Sequence, residues 1–221
     1  MILTCKGFLF DLDGTLVDSL SSVEYCWKKF SHRLGISEKD VLEYIHGKPA
    51  ITSIRHFMPH TDETDIKNIF HWLENMETEN MSGIVAMPGA ISLLEKLNKL
   101  FIPWAIVTSA TMSIALNRIK SAGLPEPLHW VTVEKVKNGK PHPDPFLLGA
   151  KLLGLPPKFC IAIEDAEAGI YSALDAGCPV IALNAQLYMP RRSEISMIIK
   201  SLTELNIAKI DHRCVIRINN L

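Results

Sequence analysis

KGFLFDLDGTLVDS, residues 6–19, joins a short apolar run to two closely spaced carboxylates. The run at 6–10 is continuous and compact, which predicts a buried strand rather than a surface segment. Asp11 then stands at the carboxyl end of this strand, and Asp13 follows in a turn that contains Gly14. Because glycine lets the backbone turn sharply, the two carboxylates can converge on one point. The segment therefore predicts a ligand site at the edge of a sheet.

The rest of the chain divides into a helical block and an alternating block. From residue 16 to 82, apolar residues recur every three or four positions, which predicts a succession of four helices. After residue 88, helical and strand patterns take turns. The predicted helices lie at 90–100, 112–121, 144–153 and 166–176, and the predicted strands at 104–107, 130–133, 160–163, 179–183 and 197–199.

This alternation predicts an α/β fold with a parallel sheet that is covered by helices on both faces. Since the strand at 6–10 is needed to complete the sheet, the helical block interrupts a single core. We therefore predict a Rossmann-like core formed by residues 1–17 and 83–221, with a helical cap inserted at 18–82. The tail after residue 200 is less regular, and weak alternation at 214–218 predicts an edge strand.

Composition and charge narrow the classes of partner. The 221 residues carry 23 basic and 24 acidic side chains, a net charge of −1, which predicts no nucleic-acid partner. No apolar run approaches the roughly 18 residues that cross a bilayer, so we expect no membrane partner. Five scattered cysteines without a CxxC pair predict neither a disulfide framework nor a zinc site. We expect a cytoplasmic monomer that acts on a small molecule.

A second acidic pair, Glu164 and Asp165, follows the predicted strand at 160–163. In an open parallel sheet, ligands bind beyond the carboxyl ends of the strands, so this pair is expected beside Asp11 and Asp13. Four carboxylates at one place repel one another unless a cation lies between them. Oxygen-rich ligation of this kind favours Mg²⁺.

Two further strand ends carry groups that suit a phosphate. Thr108 and Ser109 follow the predicted strand at 104–107 and precede a helix, whose N-terminal N–H groups attract anions. Lys140 lies in the loop NGKPHPD, residues 138–144, in which two prolines limit the backbone. Each of these residues alone is more typical of a helix cap or an exposed surface. Beside four carboxylates, Lys140 would serve as a fixed counter-charge.

These motifs resemble, in the same order, the four motifs of the haloacid dehalogenase superfamily. They are DLDGTLVDS at 11–19, Thr108, GKPHPD at 139–144, and EDA at 164–166. The resemblance covers the whole chain, and the helical insert is similar to the C1 type of cap. Among the subgroups, the chain is most similar to bacterial sugar phosphatases of the β-phosphoglucomutase-like branch. The resemblance implies a phosphatase for small phosphorylated metabolites, most of all sugar or polyol phosphates.

The resemblance also implies a role for each core motif. Asp11 would attack phosphorus and form an aspartyl-phosphate, and Asp13 would protonate the leaving alcohol and later activate water. Thr108, the backbone of Ser109, and Lys140 would hold the phosphoryl oxygens. The Mg²⁺ ligands would be Asp11, the backbone carbonyl of Asp13, Asp165, and Glu164 directly or through water.

The cap would select the substrate, because the core contacts only the phosphate. The break at His46, Gly47 and Lys48 between two predicted cap helices is the best candidate, since the corresponding stretch of C1-capped relatives faces the substrate. His46 and Lys48 carry groups that can hydrogen-bond sugar hydroxyls. An ordinary exposed helix connection is an equally good interpretation of this stretch.

Three other functions are alternatives to the phosphatase, and the sequence disfavours each of them. Mutases of this branch carry a histidine ten residues after the acid/base aspartate, where this chain has Val23. Dehalogenases of the superfamily lack the second aspartate, which is present here as Asp13. A receiver-like phosphorylation switch also combines carboxylates, a threonine and a lysine. However, it is about half this length and has no use for a helical cap.

Overall fold

Strand β2 (Gly7–Phe10) lies inside a six-stranded sheet whose paired strands all run parallel. In this computed structural model, residues 2–45, 48–186, 188–210 and 213–218 are described. The other five strands are β5 (Trp104–Val107), β6 (His129–Val131), β7 (Cys160–Glu164), β8 (Val180–Leu183) and β9 (Met197–Ile199). The strand order in the sheet is β6-β5-β2-β7-β8-β9.

The side chains of β2 explain why this strand is apolar throughout. Phe8 and Phe10 pack into a cluster on one face of the sheet, and Leu9 packs into a second cluster on the other face. A parallel strand that is buried on both faces needs no polar alternation. Helices α5 (Ala90–Lys99) and α6 (Met112–Ser121) contribute to the first cluster, and α7 (Asp144–Leu152) and α8 (Glu167–Asp175) to the second.

Four helices separate β2 from the rest of the core, as predicted. They are α1 (Leu20–Leu34), α2 (Glu38–Ile45), α3 (Ala50–Phe57) and α4 (Glu63–Glu79). Their apolar faces form a third cluster, in which Trp27 and Phe30 pack edge to face. Asp62 caps α4 by accepting hydrogen bonds from the N–H groups of Thr64 and Asp65. The predicted α/β fold with an inserted helical segment is therefore confirmed.

A two-stranded antiparallel ribbon connects this helical segment, which we call the cap, to the core. Strand β3 (Val17–Asp18) pairs with β4 (Val85–Ala86), so the chain enters and leaves the cap side by side. The predicted boundaries at 17/18 and 82/83 stay a prediction, and this ribbon is where we expect the hinge.

The two ends of the chain depart from the prediction. Strands β1 (Ile2–Cys5), β10 (Leu205–Ile210) and β11 (Arg213–Ile218) form a separate antiparallel sheet, in the order β1-β11-β10. The prediction of an edge strand at 214–218 was wrong, because β11 is the central strand of this sheet. Its inward residues Cys214 and Ile216 pack against the core, which explains why the alternation there was weak but real.

One smaller prediction is refined by the structure. The strand predicted at 130–133 ends at Val131, and a 3-10 turn follows at Val133–Lys135.

All five cysteines are free and buried, as expected for residues that pack as small apolar groups. Among the described residues, none of the helices is long and apolar enough to cross a membrane.

Candidate active site

The carboxyl ends of three adjacent strands bring the predicted catalytic residues together. Asp11 follows β2, Thr108 follows β5, and Glu164 ends β7. Because these strands are parallel neighbours, all three side chains lie at one edge of the sheet. They line a cavity of about 590 Å³ to which residues of the cap also contribute. The ends of β2 and β7 thus supply the floor of the site, and residues of the cap and of the segment after β5 supply its walls.

Lys140 connects two of the carboxylates at the floor of this cavity. Its Nζ donates to Asp11 Oδ1 and to Glu164 Oε1, each at 2.6 Å. None of the three residues is more than 6% exposed. Two proline residues, Pro141 and Pro143, follow Lys140 in the loop before α7, which fits the prediction of a rigidly held lysine.

Burial raises the pKa of the carboxyl groups despite this lysine. Burial, with smaller contributions from Glu164 and Asp13, raises the pKa of Asp11 to about 7 against the attraction of Lys140. Burial and then the charge of Asp11 raise the pKa of Asp165 to about 7, and burial also raises the pKa of Glu164. Burial opposes the charge on Lys140, but the attraction of Asp11 and Glu164 outweighs it and raises its pKa. The floor therefore has more negative groups than Lys140 neutralises.

A divalent cation fits this arrangement. Asp11, Glu164 and Asp165 each offer a carboxylate oxygen, and these oxygens lie within 4.8 Å of one another. Hard oxygen donors of this kind suit Mg²⁺. Both oxygens of Glu164 already accept hydrogen bonds, one from Lys140 and one from the N–H of Ala166. Asp11 and Asp165 are therefore the better direct ligands, and the role of Glu164 as a ligand stays a prediction.

Two glycines leave room beside the backbone for the carboxylates of Asp165 and Glu164. Gly14 has a φ of +84°, and a Cβ at this position would collide with the Asp165 carboxylate. A Cβ on Gly169, in α8, would collide with the carboxylate of Glu164. Thr15 Oγ1 then donates to Asp165 Oδ1 at 3.1 Å. The DxDGT turn thus shapes the acidic site as well as supplying one of its carboxylates, that of Asp11.

The Asp13 side chain faces a different set of partners. Ser19 Oγ donates to its Oδ1 at 2.6 Å, and Arg118 Nη1 donates to its Oδ2 at 2.5 Å. Three carboxylates rather than four therefore meet at the candidate metal position. The part of Asp13 in metal binding, through its backbone carbonyl, stays a prediction.

Arg118 is the residue that the sequence analysis missed. It lies on α6, is 3% exposed, and also donates through Nη2 to Glu77 of α4 at 2.9 Å. A signal was present, because each of these charges interrupts the apolar stripe of its helix. Glu77 follows Ile66, Ile69 and Leu73 along α4, and Arg118 shares a face with Ile114 and Ala115. Two opposite charges at apolar positions are typical of a buried pair.

The predicted phosphate ligands lie in the cavity wall. Thr108 Oγ1 accepts a hydrogen bond from the N–H of Ala110 at 3.0 Å, in the turn that leads into α6. The Ser109 hydroxyl is buried and has no hydrogen-bond partner among the described residues. A buried hydroxyl without a partner is costly, which favours a ligand oxygen beside it.

The cap contributes apolar and charged side chains to the same cavity. Lys48 lies in its wall, with Nζ 3.3 Å from the centre of the Tyr44 ring. His46 and Gly47, predicted beside it as substrate contacts, lie outside the described residues. The other lining residues from the cap include Val23, Trp27, Glu43, Phe70 and Glu74.

We expect Mg²⁺ to stabilise the fold more at high pH than at low pH. Since Asp11 and Asp165 have raised pKa values, the folded state binds more protons than the unfolded chain between about pH 4 and pH 7. Without metal, the contribution of these two carboxyl groups to the stability of the fold is therefore highest below this window and falls as the pH rises through it. Thermal unfolding should show Mg²⁺ raising the midpoint by roughly 5 °C at about pH 8 and much less at about pH 5.

Asp165→Asn is the matched control for this measurement. It removes one of the repelling charges, so it should flatten the pH dependence and reduce the shift by Mg²⁺. An equal metal shift at both pH values in the unaltered protein would contradict the assignment of the site.

Comparisons with known proteins agree with this geometry. The family model described as haloacid dehalogenase-like hydrolase matches residues 8–183. Hexitol phosphatase A of Escherichia coli is 55% identical over 205 residues, which cover 93% of this chain and 95% of that protein. Glycerol-1-phosphate phosphohydrolase 2 of Saccharomyces cerevisiae is 30% identical over 192 residues, covering 82% of this chain and 75% of that protein.

Solved structures show the same fold. β-Phosphoglucomutase from Clostridium difficile superposes with a TM-score of 0.81 at 24% identity, over 91% of this chain and 93% of that one. At this identity the likeness concerns the fold alone. The family model and the hexitol phosphatase, by contrast, span nearly the whole length that carries the four motifs. The chain belongs to the haloacid dehalogenase-like hydrolases.

Proposed function

We propose that this protein is a Mg²⁺-dependent phosphatase that hydrolyses sugar and polyol phosphates, with hexitol phosphates as its preferred substrates. The observation that carries the proposal is the buried contact of Asp11 with Lys140, beside Asp165, at the floor of a cavity that core and cap residues line together. The 55% identity to a hexitol phosphatase supports the choice of substrate.

Asp11 is the nucleophile in this proposal. Lys140 holds its Oδ1, which orients the carboxylate and screens its charge from the incoming phosphate dianion. A bond forms between a carboxylate oxygen of Asp11 and phosphorus while the bond from phosphorus to the leaving oxygen breaks. The product is an aspartyl-phosphate on Asp11 and a free alcohol.

Asp13 acts as general acid in the first step and as general base in the second. It donates a proton to the leaving oxygen in the first step, so that an alcohol rather than an alkoxide departs. In the second step it accepts a proton from water, which attacks the phosphoryl group and releases inorganic phosphate and the Asp11 carboxylate. A carboxyl group two residues beyond Asp11 can reach the leaving oxygen without its side chain competing for the metal.

The transferring phosphoryl oxygens need positive charge and hydrogen-bond donors. The ammonium of Lys140 and the hydroxyls of Thr108 and Ser109 are the candidate donors of this chain. Mg²⁺, when held by Asp11 and Asp165 with Glu164 and the Asp13 carbonyl, supplies further positive charge to neutralise these oxygens.

The cap wall suits a polyhydroxylated leaving group. Glu43 and Glu74 provide hydrogen-bond acceptors and Lys48 a donor, while Trp27 and Phe70 provide apolar surface. A cavity of about 590 Å³ lies in the usual range for small-molecule sites. Val23 occupies the place of the mutase histidine and lines this cavity, so no titratable group is present there to serve a phosphomutase.

Phosphate release from a panel of substrates tests this proposal. The panel includes hexitol phosphates, hexose phosphates, glycerol phosphate and phosphoglycolate, each assayed with Mg²⁺ and with a chelator. We expect chelator-sensitive turnover over many equivalents, with the highest kcat/KM for hexitol phosphates. Conversion of glucose 1-phosphate to glucose 6-phosphate without phosphate release would instead indicate a mutase. A single stable phosphorylation of the protein would indicate a switch.

A further inference from the structure

The buried arginine of α6 joins the catalytic core to the cap through two carboxylates. Arg118 directs Nη1 to Asp13 in the turn after β2, and Nη2 to Glu77 near the end of α4. Arg118 is 3% exposed and Glu77 is 7% exposed, so their ion pair is shielded from solvent, whereas the Asp13 side chain stays partly exposed to the cavity. Next to them, Asn117 Nδ2 donates to the carbonyl of Thr78 at 3.2 Å. The end of α4 is thus fixed to α6 at two adjacent positions.

Stability alone is a poor reason to bury such a group. Removing charges from water costs several kcal/mol per ion, and the attraction between them often only offsets this cost. Burial raises the pKa of Glu77 in spite of the neighbouring guanidinium, which shows how strongly desolvation acts here. Well-packed apolar residues would join α4 to α6 without that cost. The arrangement is better explained by what the guanidinium holds in place.

The planar shape of the guanidinium suits it to hold two carboxylates in fixed directions. Its terminal nitrogens are fixed in one plane, so an arginine that is held at one nitrogen also fixes the direction of the other. Ser19 already donates to the second oxygen of Asp13. Arg118 and Ser19 together therefore hold both oxygens of the Asp13 carboxylate. From the side of the cap, Glu77 accepts a hydrogen bond from the other terminal nitrogen of the guanidinium, Nη2.

We propose that Arg118 is a positioning residue that aims the Asp13 carboxylate at the leaving oxygen, and that Glu77 of the cap holds Arg118 in this orientation. This inference rests on the proposed acid/base role of Asp13. It makes proton delivery depend on a cap residue that need not touch the substrate. Alkyl phosphates, whose leaving oxygen needs a proton, are expected to depend on Arg118. Aryl phosphates with a good leaving group depend on it much less.

Leaving-group dependence tests the proposal. The variants are Arg118→Lys, Arg118→Met, Glu77→Gln and the double variant of Glu77→Gln with Arg118→Met, each assayed on a hexitol phosphate and on p-nitrophenyl phosphate. The parameter compared is kcat/KM, because it reports the steps up to departure of the leaving group. Since a misplaced catalytic group costs about 10²-fold, we expect this loss on the hexitol phosphate for Arg118→Met. The loss on p-nitrophenyl phosphate should stay below about 5-fold, with KM little changed.

The remaining variants separate position from charge. Arg118→Lys keeps the charge but loses the two terminal nitrogens that are fixed in one plane and directed at separate carboxylates, so it should resemble Arg118→Met more than the unaltered protein. Glu77→Gln should give a smaller loss with the same substrate selectivity, about 10-fold on the alkyl substrate. If Arg118→Met fails to fold, the double variant decides, since it leaves neither buried charge unpaired. Arg55→Met is the matched control, because Arg55 forms an exposed pair with Glu63 in the same cap.

Equal losses on both substrates for folded Arg118 variants would overturn the inference and leave a structural pair. Asp13→Asn, run in the same series, separates this result from failure of the proposed function. If Asp13→Asn shows strong selectivity for the alkyl substrate and the Arg118 variants show none, only the inference fails. If Asp13→Asn itself shows no selectivity, the acid/base role of Asp13 fails first.

Discussion

Asp11→Asn is expected to lower phosphate release from all substrates at least about 10⁴-fold. An amide is a poor nucleophile and cannot carry the covalent phosphoryl group, so the first step has no acceptor. The loss should be the same for alkyl and aryl phosphates, in contrast to the Asp13 and Arg118 variants. Steady-state phosphate release checks the rate. Mass spectrometry of acid-quenched enzyme checks that the unaltered protein carries a phosphoryl group during turnover and that the variant does not.

The fold should survive this change. Asp11→Asn removes one of the mutually repelling charges at the floor, although it also weakens the contact with Lys140. The thermal midpoint without metal should therefore stay close to that of the unaltered protein at neutral pH. Asp65→Asn, an exposed position in the first turn of α4, is the matched control and should keep full activity. Turnover above about a hundredth of normal in Asp11→Asn would rule out Asp11 as nucleophile.

The sheet and the acidic site were predictable because one physical rule covers both. Parallel strands that are buried on both faces appear as short apolar runs, and a polar residue marks the end of each. Asp11, Thr108 and Glu164 are such end markers, and their meeting point follows from the parallel direction of the strands. No knowledge of side-chain geometry was needed to bring them together. The cap was predictable for a similar reason, since its helices keep an apolar stripe.

The antiparallel sheet was harder to foresee. Strands β1, β10 and β11 lie at opposite ends of the chain, so no hairpin signal links β1 to its partner. In β10 only alternate residues near its start are buried, which leaves a weak apolar pattern. The pairing depends on the distance in space between the chain ends, and a local pattern carries no information about it.

Arg118 and Glu77 show a different limit of sequence reasoning. Each charge interrupts the apolar stripe of its own helix, which indicates burial, but 41 positions separate the two and nothing in the sequence pairs them. Only the packing of α4 against α6 identifies them as partners. The contact of Asp13 with Arg118 likewise spans 105 positions. Site residues that follow strand ends can be predicted from one strand at a time, whereas residues that join two domains cannot.

Lys140→Met is expected to lower kcat about 10² to 10³-fold on both alkyl and aryl phosphates. The ammonium contacts Asp11 and, in the proposed mechanism, neutralises the phosphoryl oxygens, so its loss should remove charge neutralisation from the transition state whatever the leaving group. It also leaves Asp11 and Glu164 buried without their shared cation. The variant should therefore bind Mg²⁺ more tightly and reach half-maximal activity at a lower Mg²⁺ concentration, because a more negative floor attracts the cation more strongly, but no concentration should restore the normal kcat. Titration of phosphate release with Mg²⁺ measures both effects.

The loss of the shared cation should also lower the thermal stability of Lys140→Met. Without metal, Lys140→Met should unfold at a lower temperature than the unaltered protein at about pH 8. The difference should shrink at about pH 5, because protonation of carboxyl groups with raised pKa values then replaces the missing cation. Lys137→Met, at an exposed position of the same loop, is the matched control and should change neither property. If Lys140→Met retained a third of normal kcat, Lys140 would be a structural counter-ion, and the charge on the phosphoryl group would have to be neutralised elsewhere in the site.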